Sequence, residues 1–180
     1  MDIIENKMYS DTIFADASGM GGAISVIRVS GSHAIGIVDQ IFRSKKEKKL
    51  CDQKTYTMHY GHIVDEQDHI VDEVLVLLMR APHSYTAEDV VEIDCHGGQF
   101  VVCMIMNLLL HAGARPAEPG EFTKRAFLNG RIDLSQAESV MGVINAKNHF
   151  ALDSSIKQLH GAVKDKIVNL REQILHETAF

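Results

Sequence analysis

The sequence has 180 residues, a length that allows one domain, or one domain with an appendage, and excludes a large multidomain enzyme. With 46% hydrophobic and 23% charged residues, its composition is that of a globular protein rather than of a disordered or collagen-like chain. The formal net charge of −6 repels polyanions overall, so contact with nucleic acid would require a local basic patch.

The first two thirds of the chain alternate between strand-like and helix-like patterns. Five runs rich in β-branched and aromatic residues predict strands over residues 12–17, 24–30, 55–64, 70–78 and 89–95. Apolar residues at helical spacing predict helices over residues 32–42 and from residue 101 to His111, where Ala112-Gly113 provides a stop. A further short helix is predicted from Pro119-Gly120-Glu121 to Asn129-Gly130.

The remaining residues predict a helical arm. Ser135 and Glu138 have the spacing of a capping box, which predicts a helix start. Beyond it, apolar residues recur every three or four positions from Leu152 to Ile174 and predict one long helix, inside which Gly161 costs up to about 1 kcal/mol relative to alanine. We therefore expect an α+β class, with a mixed sheet and flanking helices in a first domain over residues 1–124, followed by a helical segment over residues 125–180.

Cysteine content and hydropathy bear on the compartment. The three cysteines are an odd number without CxxC spacing, so neither a disulfide framework nor a zinc ribbon is encoded. No basic and apolar leader begins the chain, and no run reaches the roughly 18 apolar residues of a membrane span. These features predict a cytoplasmic protein without a membrane partner.

Two charged residues within the strand patterns are candidates for a binding site. Arg28 shares a strand face with Ile24 and Val26, where a guanidinium must be paired or bind something. Glu92 lies on the polar face of its strand with Asp94, where two carboxylate oxygens could accept paired N–H donors from a planar ligand. A structural salt bridge for Arg28 and a solvated strand face for Glu92 are the alternatives, and both stay open.

The sequence gives little support for a nucleotide site, a metal site or a catalytic nucleophile. No GxxxxGK[ST] sequence occurs, so nucleotide binding through a P-loop is excluded. Glu92, Asp94 and His96 lie on one strand, too far apart to converge readily on a metal ion, and the neighbours Cys95 and His96 face opposite sides, which excludes a nucleophile and base pair. We predict no catalytic residue and no metal site.

Several segments together resemble the amino-terminal part of the family of tRNA modification GTPases called MnmE or TrmE. The resemblance rests on Asp11-Thr12-Ile13, the run from Gly21-Gly22 to Gly31, the run from Ser84 to Glu92, His96-Gly97-Gly98, the run from Pro119 to Leu134, and Gln136-Ala137-Glu138. These motifs occur in order over most of the chain. Ala87 stands where glycine is usual, and Ser18-Gly19-Met20 replaces a commoner proline-containing turn.

The resemblance implies a folate-binding and dimerisation module, related to the glycine-cleavage aminomethyltransferase, followed by the start of a helical domain truncated before the G domain. It implies a tetrahydrofolate derivative, 5-formyltetrahydrofolate or 5,10-methylenetetrahydrofolate, held by Arg28, Glu92 and Arg131. It further implies a homodimer through the first domain. The full-length family works with an MnmG-type flavoprotein to modify carbon 5 of the wobble uridine of tRNA.

Two other functions remain open. An autonomous folate-dependent transferase would need a further acid or base in the pocket, such as Asp94 or His96. A purely structural dimerisation domain would form dimers without binding folate. The fragment alone is expected to be noncatalytic, because the resemblance places GTP hydrolysis in a domain that this sequence lacks.

Overall fold

The computed structural model describes residues 11–19, 21–45 and 48–178, which form an α+β structure. The chain divides into two compact units, Met1–Phe122 and Thr123–Phe180. The first unit is built on a sheet whose seven described strands are β1 Ile13–Asp16, β2 Ile24–Ser30, β3 Phe42–Ser44, β4 Thr57–Val64, β5 Ile70–Met79, β6 Val90–His96 and β7 Arg115–Pro116. The predicted α+β class with a mixed sheet and flanking helices is thereby confirmed.

The strand order in the sheet is β3-β4-β5-β6-β2-β1-β7. Neighbouring strands are antiparallel except β1 and β7, which are parallel. Five of these strands match the predicted runs closely. The sequence analysis missed β3 and β7, because three and two residues are too few to show an alternating pattern.

Two helices cover one face of the sheet. They are α1 Ala34–Ile41 and α2 Gln99–His111. Their apolar sides and the facing side chains of the central strands form one hydrophobic core, in which Ile27, Val76 and Ile93 are fully buried. The alternation of side chains along β2 and β6 requires the other residues of these strands to lie on the opposite face of the sheet.

The connection from β6 to α2 depends on a close approach of two backbones. The Gly97 N–H donates a 2.9 Å hydrogen bond to the Ala23 carbonyl oxygen. A Cβ at position 97 would lie 2.8 Å from the Gly22 carbonyl carbon and still closer to its oxygen, whereas a Cβ at Gly98 would meet its nearest atom at 4.0 Å. Only Gly97 of this glycine pair is therefore required by packing.

The second unit is helical and differs from the prediction in two places. Its helices are α3 Glu121–Leu128, which begins at the end of the first unit, α4 Leu134–Ile144, α5 His149–Leu159 and α6 Ala162–Thr178. The predicted capping box at Ser135 and Glu138 is wrong, since the box consists of Asp133 and Gln136. The Asp133 side chain accepts a 2.9 Å hydrogen bond from the Gln136 N–H, and the Gln136 side chain accepts a 2.9 Å hydrogen bond from the Asp133 N–H.

The predicted single long helix from Leu152 to Ile174 is also wrong. The structure has two helices there, α5 ending at Leu159 and α6 beginning at Ala162, because Gly161 adopts a left-handed φ of 87° that a continuous helix does not contain. The apolar period continues across this break, and it therefore did not reveal the turn. Within the second unit, Gln136 Nε2 donates a 2.7 Å bond to the Leu159 carbonyl, which ties α4 to the end of α5.

No helix among the described residues is both long and apolar enough to cross a lipid bilayer.

Candidate ligand-binding face of the sheet

The face of the sheet opposite α1 and α2 carries the two candidate residues of the first unit. Directly opposed residues in antiparallel strands share a face, so the strand register defines rows of side chains across the sheet. One row runs across four strands and consists of Met58, Leu77, Glu92 and Arg28. The next row consists of Tyr60, Leu75, Asp94 and Val26. In these two rows, all the charged groups thus lie on β6 and β2.

Arg28 and Glu92 form a cross-strand ion pair. Arg28 Nε donates to Glu92 Oε1 at 2.7 Å, and Arg28 Nη2 lies 2.7 Å from the same oxygen. The side chains are 25% and 17% exposed, respectively, so the pair is largely shielded from solvent while one side remains accessible. The salt-bridge interpretation of Arg28 is therefore correct. Both contacts use Oε1, which leaves the lone pairs of Glu92 Oε2 outside the pair.

Two aromatic rings lie close to the guanidinium group. The Arg28 Cζ lies 5.0 Å from the centre of the Tyr85 ring and 5.6 Å from the centre of the Phe122 ring. Both distances are within the range of a cation–π contact, which helps to fix the orientation of the guanidinium plane. The sequence analysis did not single out either ring, although both lie inside the motifs quoted above, in the runs Ser84-Tyr85-Thr86 and Glu121-Phe122-Thr123.

A buried hydroxyl network fixes the loop that carries Tyr85. Ser30 Oγ lies 2.7 Å from Thr86 Oγ1 and donates to Glu88 Oε2 at 2.8 Å. Ser84 Oγ donates to the Glu88 carbonyl oxygen at 2.5 Å. Between them, Ala87 has a left-handed φ of 61°, a conformation that glycine adopts at a lower cost than alanine. The polar residues of this motif hold the loop against β2 and so position the aromatic ring.

A second carboxylate lies beside the ion pair. Asp94 is two residues from Glu92 on the same face of β6. Burial raises the pKa of Asp94, and the negative charge of Glu92 raises it further. The two carboxylates near one arginine give this part of the face an excess of hydrogen-bond acceptors, which suits a ligand with several N–H donors.

His96 is the last residue of β6 and is held by Asp72. The Asp72 carboxylate accepts a bond of 2.8 Å from the His96 N–H and lies 2.7 Å from Nδ1 of the ring. The His96 side chain is 70% exposed, whereas Cys95, which precedes it, is buried.

Arg131, the third candidate, belongs to the second unit. It lies in the turn after α3, where its N–H donates a 2.9 Å bond to the Ala126 carbonyl and Gly130 adopts a left-handed φ of 72°. Its side chain is exposed. The structure thus brings together Arg28 and Glu92, whereas the contribution of Arg131 to the same site stays a prediction.

The fold and this face define an α+β module with one side covered by helices and one open side that carries a shielded ion pair. Residues 12–131 match the family model described as "GTP-binding protein TrmE N-terminus", and the chain belongs to that family. Similar proteins include the tRNA modification GTPases MnmE of Lachnoclostridium phytofermentans, 55% identical over 96% of this chain, and of Bacillus pumilus, 52% identical over 94%. The protein of the same name from Bacillus subtilis is 50% identical over 94% of the chain.

The chain spans only part of these relatives. It covers 38% of the length of the Lachnoclostridium protein and 37% of each of the two Bacillus proteins.

Proposed function

We propose that the chain is the folate-binding and dimerisation module of a tRNA modification GTPase. The observation that carries the proposal is the Arg28–Glu92 pair on an open sheet face, with two aromatic rings close to the guanidinium group. The resemblance of the chain to its family supplies the ligand, a tetrahydrofolate derivative such as 5-formyltetrahydrofolate or 5,10-methylenetetrahydrofolate. It also supplies the relationship of the fold to the aminomethyltransferase.

The chemistry of the face suits the pterin end of such a ligand. A reduced pterin presents an amino group and a ring N–H side by side, and the two lone pairs of a single carboxylate oxygen can accept both donors. Glu92 is 17% exposed and retains Oε2 for this contact, while Asp94 adds a second acceptor nearby. Arg28 offers donors to the carbonyl oxygen of the ligand, and Tyr85 offers an aromatic surface for its ring. Arg131 completes the proposed contacts.

Calorimetric titration of the chain with 5-formyltetrahydrofolate tests this site. We expect Glu92→Gln to weaken binding by roughly 10- to 100-fold, because a charge-assisted pair of hydrogen bonds contributes about 1.5–3 kcal/mol. The matched control is Glu66→Gln, which neutralises a 70% exposed carboxylate 3.8 Å from His111, away from the proposed contacts. Equal affinities of the two variants would refute the assignment of Glu92.

The same open face is proposed as the dimer surface. Met58, Tyr60 and Leu75 are between 38% and 59% exposed there. They lie on the neighbouring strands β4 and β5 and form one apolar area, and such an area on a monomer is typical of an interaction site. We expect Leu75→Arg to shift the protein from dimer to monomer in light scattering coupled to size-exclusion chromatography. Leu110→Arg, which alters a 46% exposed leucine on α2, should leave the dimer intact.

These measurements also separate the alternatives. A structural dimerisation domain predicts a dimer without heat of folate binding. An autonomous transferase predicts that the isolated chain consumes methylenetetrahydrofolate in the presence of a small amine, and that the activity depends on Asp94 or His96. We expect binding without turnover.

The role in tRNA modification is proposed for the longer protein, with an MnmG-type flavoprotein as partner and the wobble uridine of tRNA as substrate, in the cytoplasm. A chimera in which this chain replaces the matching part of the Bacillus subtilis relative tests it. We expect nucleoside mass spectrometry to detect normal carbon-5 modification in cells that carry the chimera and its loss with Glu92→Gln. Normal modification with that variant would show that the tRNA modification does not require the proposed folate site.

A further inference from the structure

A cavity lies on the helix-covered side of the sheet, away from the proposed folate site. It has a volume of about 560 Å³ and opens between α2 and the first residues of β2. Gln99, Val102, Cys103 and Met106 line it from the helix, and they follow the spacing of one helix face. The volume is in the range of small-molecule sites.

The strand side of the cavity is polar. Ser25 is 1% exposed, and its hydroxyl makes no hydrogen bond to another described residue. Among those residues, every fully enclosed side-chain oxygen or nitrogen has a hydrogen-bond partner. The unpaired Ser25 hydroxyl is therefore not fully enclosed, and because Ser25 lines the cavity, we place this hydroxyl at the cavity wall. Asp16 lines the cavity as well, and its Oδ1 accepts from the Ser18 N–H at 3.0 Å and from Ser18 Oγ at 2.7 Å. These contacts leave Oδ2 of Asp16 for a ligand.

The two sites are on opposite faces of one strand. Ser25 and Arg28 are an odd number of residues apart on β2, so their side chains lie on different sides of the sheet. A ligand in the cavity therefore does not compete for the Arg28–Glu92 pair, and the inference goes beyond the function proposed above.

We infer that this cavity binds a planar aromatic heterocycle that carries an amino group or an amidine-like edge. Its ring packs against Val102 and Met106, and its N–H groups donate to Asp16. The Ser25 hydroxyl bonds a ring heteroatom. The negative charge of Asp16 disfavours an anionic ligand, and the apolar side chains of Val102 and Met106 disfavour a sugar, many of whose hydroxyl groups would lack partners.

The chain provides a reporter for this test. Cys103 is exposed in the cavity wall, Cys51 is exposed elsewhere, and Cys95 is buried. The rate of Cys103 alkylation by N-ethylmaleimide, measured by peptide mass spectrometry relative to that of Cys51, therefore reports occupancy. The probe is 2-aminobenzimidazole, and 2-methylbenzimidazole has nearly the same shape without the amino group.

We expect 1 mM 2-aminobenzimidazole to slow the alkylation of Cys103 about fivefold, which corresponds to a dissociation constant of about 0.25 mM, and to leave Cys51 unchanged. The methyl compound should protect less than half as well, and Asp16→Asn should abolish the difference between the two probes. Equal protection by both probes, or none, would overturn the inference.

If Asp16→Asn fails to fold, the comparison of the two probes on the unaltered chain still tests whether the cavity recognises the amino group. Saturating 5-formyltetrahydrofolate should not protect Cys103, and Glu92→Gln should not alter protection by 2-aminobenzimidazole. Failure of the cavity proposal is therefore distinguishable from failure of the folate proposal.

Discussion

Replacement of Gly97 by alanine gives a sharp test of the turn between β6 and α2. The added Cβ would lie 2.8 Å from the Gly22 carbonyl carbon. Carbon atoms pack best at about 3.5–4.0 Å, so the two backbones must separate by about 0.7 Å or more. Overpacking of this kind costs about 1–3 kcal/mol.

A second cost follows from the hydrogen bond at the same place. The Gly97 N–H bonds the Ala23 carbonyl at 2.9 Å, and separation weakens this bond, which contributes about 1 kcal/mol. Alanine also has less backbone freedom than glycine in the unfolded chain, and this effect offsets about 0.5 kcal/mol of the destabilisation. We therefore expect Gly97→Ala to lower the free energy of unfolding by about 3 kcal/mol.

Tyrosine fluorescence in urea is a suitable assay. The sequence has four tyrosines and no tryptophan, and all four tyrosines precede residue 123, so the signal reports the first unit alone. With a slope of about 2 kcal/mol per molar urea, the midpoint should fall by about 1.5 M.

Gly98→Ala is the control, because its Cβ would meet no atom closer than 4.0 Å. Its midpoint should shift by less than about 0.5 M. Equal midpoints for the two variants would refute the close approach of the two backbones.

Three further predictions concern the ion pair and the second unit. A double-mutant cycle with Arg28→Met and Glu92→Gln should give a coupling free energy of about 1–3 kcal/mol in the same urea assay, and a coupling near zero would show that the pair is not formed in solution. Gly161→Ala should lower the thermal midpoint measured by far-UV circular dichroism by about 5 °C, because φ is 87°, whereas a continuous helix would gain stability. Hydrogen bonds from Gln136 and Ser135 lower the pKa of Asp133, so the stabilisation by this cap is present above pH about 4 and is lost as the pH falls through the lowered pKa. Asp133→Asn should therefore make the loss of helicity with decreasing pH less steep. An equally steep loss in this variant would contradict the role of Asp133 as the cap.

The sequence predicted the central strands and the two sheet-covering helices because each has a long, regular apolar period. Residues 24–30 match β2 because β-branched residues occupy four of these seven positions and a glycine follows the strand. The pairing partner of a strand, by contrast, is a nonlocal property. The alternation placed Arg28 and Glu92 on strand faces but could not show that the two residues lie directly opposite each other.

The two wrong predictions in the second unit have identifiable physical causes. Asp133 and Ser135 both precede possible helix starts with a suitable residue three positions later, and the choice between them depends on tertiary packing. Gly161 breaks a helix whose apolar period is unbroken, because a glycine within a helical pattern is compatible with either a continuous helix or a stop. The cavity beside α2 was not predicted, because empty volume depends on residues far apart in sequence.

The two edge strands of the sheet affect how copies of the protein can associate. β3 has three residues, and β7 has two, one of which is Pro116 and lacks an N–H donor. Within the described part of the chain, neither edge offers a long ladder of unpaired backbone groups, so open-ended growth of the sheet from chain to chain is disfavoured. A dimer formed through the exposed tyrosine, methionine and leucine, as proposed above, would therefore stay a closed pair rather than extend into a longer sheet.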